Sequence, residues 1–168
     1  MGIKLDQNTS QLFLFGGHGG FGFSEHSLLE EHEVLVGLNV WSGEYIDAIQ
    51  PLYSRILPVG ISPVVREGGK YGGRGGEQTR LYKPNHVVTG LSLRHGQVVD
   101  QISLIFNEWM GDGPSPSGVE SESLGGAGGR PVRVATAEGE MAVGIFGASG
   151  WYIDRMSLIT CGYQITRE

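Results

Sequence analysis

The stretch Leu12–Phe23, LFLFGGHGGFGF, runs an apolar segment into a burst of glycines, and its reading decides the fold. Gly17-His18-Gly19-Gly20-Phe21-Gly22 satisfies the G-x-G-x-x-G spacing of a dinucleotide cradle. Such a cradle opens a helix and is followed by alternating helices and parallel strands. SEHSLLEEHE, residues 24–33, is the one stretch that reads as a short helix, and no such alternation follows it. The glycines instead recur. GGHGG at 16–20 returns as GGRGG at 72–76 and as GGAGG at 125–129, at offsets of 56 and 53 residues. The dinucleotide spacing is therefore a coincidence inside a GGxGG repeat.

A second pattern recurs in step. Gly37-LNVWS-Gly43-EYI-Asp47-AI matches Gly90-LSLRH-Gly96-QVV-Asp100-QI and Gly144-IFGAS-Gly150-WYI-Asp154-RM. The chain is three copies of one unit: GGxGG, a strand, then G-x5-G-x3-D-x-[I/M]. The units span about 12–66, 67–120 and 121–166 of one domain, residues 1–168. EVLVGLNVWS, HVVTGLSLRH and MAVGIFGAS are rich in strand formers. Leu38, Leu91 and Ile145 align as core positions, and period-2 alternation resumes after each Asp, which predicts strands with one buried face. Pro51 interrupts the strand of the first unit, so an edge or a bulge is expected there. Residues 111–125, GDGPSPSGVESESLG, read as a polar, mobile loop.

Composition agrees. Gly supplies 29 of 168 residues, more than twice its usual share and without a collagen period, which suits an all-β chain with many turns. The net charge of −6 and the lack of a basic run exclude a counterion-releasing grip on nucleic acid, and anionic membranes as partners. No apolar run approaches the ~18 residues of a membrane span. Met1–Phe15 shows no signal peptide, and the compartment stays open between extracellular and cytoplasmic. Cys161 is alone and reads as a packed core residue. The histidines lack metal-ligand spacing, no nucleophile elbow is present, and the three Asp sit on separate turns, so neither metal, cofactor nor catalysis is expected.

A G-x-x-x-D turn has its own chemistry. It exposes successive backbone N–H groups and presents a carboxylate beside them. Hydroxyls of a neutral polyol donate to the carboxylate and accept from the amides, and bonds to an ionised group are the stronger kind. A facing GGxGG loop lets a ligand approach bare backbone. In an isolated copy the glycines would serve turns and the Asp would cap its own turn. Threefold recurrence of both halves favours a ligand.

In SGEYIDAI, GASGWYIDRM and GGHGG the chain resembles the jacalin-related lectins, over residues 12 to 166. The resemblance implies the β-prism I fold, three four-stranded Greek-key sheets with pseudo-threefold symmetry. It also implies metal-free binding of mannose- or glucose-type glycans and glycoproteins, by a homo-oligomer. In the family the Asp accepts from O4 and O6 of the sugar, the two amides after the turn Gly donate toward the ring oxygen and O6, and the facing GG loop donates to O3. Carried over, the first site is Gly150, Trp151, Tyr152 and Asp154 with the loop ending at Gly20. The second is Gly43, Glu44, Tyr45 and Asp47 with the loop ending at Gly76. The third is Gly96, Gln97, Val98 and Asp100 with the loop ending at Gly129.

The sites are not equal. Three-site members carry Tyr two residues after the turn Gly; Tyr45 and Tyr152 match, whereas Val98 departs and offers far less surface to a sugar face. That ranks Asp154 first, Asp47 second and Asp100 last. The galactose-binding branch is cleaved ahead of its first GG loop; here Met1–Phe15 precede that loop, which points to the mannose/glucose branch. Two other readings stand beside this one: a structural or protein-interaction prism without sugar binding, and a galactose-preferring lectin.

Overall fold

The computed structural model describes residues 2–166. These residues form sixteen strands: β1 (Gly2–Gln11), β2 (Phe15–Gly16), β3 (Phe21–His26), β4 (Glu33–Ser42), β5 (Ile46–Leu57), β6 (Gly60–Ile61), β7 (Arg66–Glu67) and β8 (Tyr71–Gly72) come first. β9 (Glu77–Tyr82), β10 (His86–His95), β11 (Val99–Trp109), β12 (Pro114–Glu120), β13 (Leu124–Gly125), β14 (Arg130–Ala135), β15 (Glu140–Ser149) and β16 (Ile153–Thr166) follow. Among the described residues the one helix is a single 3-10 turn at Leu29–Glu31, inside the stretch that reads as a short helix in the sequence.

The strands form three antiparallel sheets, each built on a long central hairpin: β4–β5, β10–β11 and β15–β16. A strand pairs each hairpin on one side: β9 on β4, β14 on β10 and β3 on β15. On the other side the fourth strand is broken into pieces. β6, β7 and β8 lie along β5, β12 and β13 along β11, and β1 and β2 along β16. In the first two sheets the last strand in sequence returns beside the first, a Greek key, and the third sheet has the same spatial arrangement with its outer strands β1 and β3 supplied from the start of the sequence. The third sheet joins the two ends of the sequence, because β1, β2 and β3 close on β15 and β16.

The repeat is visible in the bulges. Each hairpin shifts register between Leu35 and Gly37, Val88 and Gly90, or Ala142 and Gly144, and again just before its tip. A Cβ at Gly37 or Gly144 would collide with a carbonyl of the neighbouring strand, Leu81 or Glu25 respectively. Close strand approach therefore explains the first glycine of the repeat. Inside, β4, β10 and β15 touch one another pairwise, and Leu38, Leu91 and Ile145 meet there at 0% exposure. Each such side chain stabilises the fold by about 1.5–3 kcal/mol. A second apolar cluster, with Leu5, Val34, Val36, Val143 and Cys161, covers the opposite faces of the same hairpins, so β4 is buried on both sides for most of its length. Burial pushes the Cys161 thiol up to about 11.

Two expectations are corrected. Residues 111–125 are not a mobile loop: Pro114–Glu120 form β12 on β11, held by Asn107 donating to the Ser115 carbonyl and by Ser103 donating to Glu120. An edge strand needs no apolar outer face and tolerates proline, so its composition looks like a loop. Pro51 lies on the inner strand β5 and not at an edge. Its carbonyl accepts from Gly68 on the side of the interrupted strand, so its missing N–H faces the break between β7 and β8. The bulge at Leu35/Gly37 lies in the facing strand β4.

Candidate functional site

The three hairpin tips and the three GGxGG loops assemble pairwise at one end of the sheets. Each tip turns on a hydrogen bond from its Gly amide to the carbonyl two residues on: Gly43 to Tyr45 (3.0 Å), Gly96 to Val98 (3.0 Å) and Gly150 to Tyr152 (2.9 Å). That bond turns the two intervening amides outward. Among the described residues, the amides of Glu44, Tyr45, Gln97, Val98, Trp151 and Tyr152 have no protein acceptor. Four positions after each turn Gly stands the carboxylate that closes the same turn. Asp47, Asp100 and Asp154 all lie at the start of the descending strand.

Each Asp is tied to a GG loop by its own backbone. The Asp154 carbonyl accepts from Gly17 at 2.8 Å, Asp47 from Gly73 at 2.8 Å, and Asp100 from Gly126 at 2.9 Å. The loop ending at Gly20 thereby faces Asp154, the loop ending at Gly76 faces Asp47, and the loop ending at Gly129 faces Asp100. The loops press against the carboxylates. Gly20 has φ +82°, and a Cβ there would stand 2.5 Å from Asp154 Oδ1; Gly76 and Gly129 repeat this at Asp47 and Asp100. Bare backbone is the condition for a carboxylate and a loop amide to share one small space.

The carboxylates are available. Apart from the Asp47 backbone amide, no protein donor reaches the side chains of Asp47, Asp100 or Asp154 among the described residues. Asp47 is 8% exposed and Asp100 7%, and burial holds both carboxyls above the usual carboxylate range; Arg94 and His95 oppose the shift at Asp100. A raised pKa means that the neutral form suits the fold better. The stability it confers is present below the unfolded-state pKa and lost as pH rises through the folded one. At pH 7 each ionised carboxylate therefore costs stability. Asp47→Asn is expected to raise the melting temperature by about 2 °C at pH 7. The gain should vanish well below the unfolded-state pKa of about 3.9, by about pH 2.5. Melts at the two pH values check this, and a lower melting temperature at pH 7 would contradict it.

The family model of the Jacalin-like lectin domain matches residues 12–159. The chain belongs to the jacalin-like lectin domain family. Solved structures agree on the fold. Malaysian banana lectin superposes with a TM-score of 0.68 at 18% identity, over 92% of this chain and 99% of that one. A mannose-binding jacalin-related lectin from Ananas comosus gives a TM-score of 0.67 at 20% identity, over 92% and 98%. A mannose-specific jacalin-related lectin from Morus nigra, solved with mannose, gives 0.70 at 16% identity, over 93% and 96%. No curated protein matches the sequence.

This jacalin-like chain adds features that its motifs did not reveal. Arg155 donates from Nη1 to the carbonyls of Gly17 (3.3 Å) and Gly19 (2.9 Å), bracing the loop at Asp154. Arg94 braces the loop at Asp100 through the carbonyls of Ala127, Gly128 and Gly129, and Gln101 adds a bond to Gly126. The position after Asp is Arg155, Gln101 and Ala48 in the three units, so a long donor there was the readable signal. The loop at Asp47 receives no such side-chain donor among the described residues; Lys70 instead stands over the Trp41 ring, 4.2 Å from its centre. Each GG loop also packs on the next tip: Gly17 on Gln97, Gly73 on Trp151, and Gly126 on Glu44. Beside Asp154, Phe21 and Trp151 are 84% and 83% exposed and border one cleft with Tyr152 and Arg74. Phe21 was not among the sequence candidates. Among the described residues no group of three His, Cys, Asp or Glu could hold a metal, and no helix is long and apolar enough to cross a membrane.

Proposed function

We propose that this jacalin-like chain is a lectin that holds mannose- or glucose-type sugars of glycans and glycoproteins, at up to three sites, without metal and without catalysis. The observation that carries the reading is the pairing of an unengaged carboxylate with two unengaged backbone amides under a bare glycine loop. A hexose supplies the matching set, two hydroxyl donors and two oxygen acceptors on one ring edge. At Asp154, the carboxylate takes O4 and O6, the Trp151 and Tyr152 amides reach the ring oxygen and O6, and Gly20 serves O3. The Asp47 and Asp100 sites repeat this with Glu44, Tyr45 and Gly76, and with Gln97, Val98 and Gly129. The Asp154 site has in addition the largest exposed aromatic surface, Phe21 and Trp151, on which the apolar face of a further sugar ring can rest.

The preference for mannose or glucose over galactose is supported by the Ananas and Morus proteins, which are described as mannose-binding and mannose-specific. Carboxylates locked in internal bonds would have favoured a purely structural prism; their freedom speaks for a ligand. Assembly into homo-oligomers would multiply the sites and let weak monosaccharide contacts sum to avidity on branched glycans.

Calorimetric titration tests the reading. Methyl α-mannoside is expected to give heat with a stoichiometry of two or three per chain, and methyl α-galactoside little. A galactoside preference would overturn the specificity. No heat from either sugar at millimolar concentration would overturn the lectin reading.

A further inference from the structure

The Asp100 site lacks the tyrosine that both counterparts carry two residues after the turn glycine, and the structure shows what occupies the surroundings of that departure. Val98 is half-buried where the other tips carry Tyr45 and Tyr152. Those two rings do not stay at their own turns. They meet edge to face, with centroids 5.1 Å apart and planes at 66°. Both line the recess that contains Asp100, Gly96, Gly129 and Val98, a cavity of about 430 Å³. The recess therefore has two ends. One is polar, made of the Asp100 carboxylate, the loop at Gly129 and the turn amides. The other is apolar, made of Val98 and the two tyrosine rings. A third tyrosine at position 98 would fill the apolar end. Cavities of about 300–1,000 Å³ are the usual size for small-molecule sites, and this one exceeds what a single hexose ring occupies.

We propose that Tyr45 and Tyr152 supply the Asp100 site with the aromatic wall that Val98 withholds, and that this site takes a sugar bearing an apolar substituent packed against this edge-to-face pair of rings. The inference rests on the lectin reading above and deepens it at one site. The sugar ring lies in the cradle of Asp100 and Gly129; an aryl or alkyl aglycone enters the apolar end. Aromatic contact in such a wall adds discrimination that a methyl glycoside cannot exploit. The site ranked last by its valine thus becomes the one selective for the substituent beyond the ring.

The test uses the full chain with Asp47→Asn and Asp154→Asn, which leaves Asp100 as the working site, and titrates it with methyl α-mannoside and 4-nitrophenyl α-mannoside. The nitrophenyl glycoside is expected to bind about fivefold to tenfold tighter. Tyr45→Ala and Tyr152→Ala should each bring that ratio close to one. Val98→Tyr should do the same by filling the recess, and it keeps the test decisive where a truncated tyrosine fails to fold. A ratio unchanged in all three variants would overturn the proposal. So would a background chain that binds neither glycoside while the unaltered chain binds both, since the Asp100 site would then be inert and the lectin reading intact. An unaltered chain that binds neither glycoside would overturn the lectin reading, and the proposal with it.

Discussion

Asp154→Asn, in a chain whose other sites carry Asp47→Asn and Asp100→Asn, is expected to weaken binding of methyl α-mannoside by about 100-fold or more. The carboxylate is the acceptor for two hydroxyl donors, and hydrogen bonds to a charged group contribute about 1.5–3 kcal/mol each. Asparagine keeps the shape but replaces one acceptor oxygen by an NH₂ donor, which meets a hydroxyl hydrogen with the wrong polarity. Loss of about 3 kcal/mol corresponds to that 100-fold. The backbone half of the site is independent of the substitution, because Gly17 bonds to the Asp154 carbonyl and Arg155 braces the loop through Gly17 and Gly19. The fold should survive, with an unchanged circular dichroism spectrum. Calorimetry on the double and triple variants checks the prediction; a difference of less than about threefold, under 1 kcal/mol, would remove the carboxylate from the binding role.

The second large effect concerns the scaffold. Tyr53→Ala is expected to cost about 3–5 kcal/mol and to lower the melting temperature by roughly 10 °C. Tyr53 is on β5 at 0% exposure, and its hydroxyl donates to Glu25 of β3 at 2.8 Å, joining the first sheet to the third. Glu25 also accepts from the Tyr71 hydroxyl (2.6 Å) and the Gly69 amide (2.7 Å), and Arg66, paired with Glu33, lies over the Tyr53 ring. Burial and the neighbouring Glu25 carboxylate hold the Tyr53 phenol far above its usual range, so it stays a donor at every working pH. Alanine would leave a cavity and remove one of the partners of Glu25. Tyr53→Phe keeps the ring and is expected to cost only about 1–2 kcal/mol. Because Tyr71 leads directly into the loop at 72–76, sugar binding at Asp47 should weaken before the fold is lost. Thermal melts of both variants decide it; equal losses in Ala and Phe would assign the effect to the hydrogen bond and not to packing.

Much of this architecture is legible in the repeat. A glycine has to stand wherever two backbones nearly touch, and an Asp wherever a turn must present a charge, so both leave a periodic trace. That trace predicts three units and their strands. The pairing of each turn with a GG loop, and the return of the last unit to the first, came with the family resemblance, and the Asp carbonyls at 47, 100 and 154 carry it out. The trace misreads segments whose role lies in their partner. Residues 114–120 look like a loop because an edge strand on β11 is free to be polar, and Pro51 looks like an edge residue because the gap it faces is made by a break in another strand.

The sequence by itself determined the class of fold, its threefold plan and the turn and loop segments that recur in every unit, because these are local requirements repeated three times. The sequence also shows where the units differ, as at Val98, but only the tertiary structure decided what those differences touch. Arg94 and Arg155 brace their loops from different positions of the repeat, Phe21 joins the cleft at Asp154, and the meeting of Tyr45 with Tyr152 beside Val98 joins turns from different units. Contacts between side chains of different units depend on how the sheets close around the shared core, and no spacing within one unit encodes them.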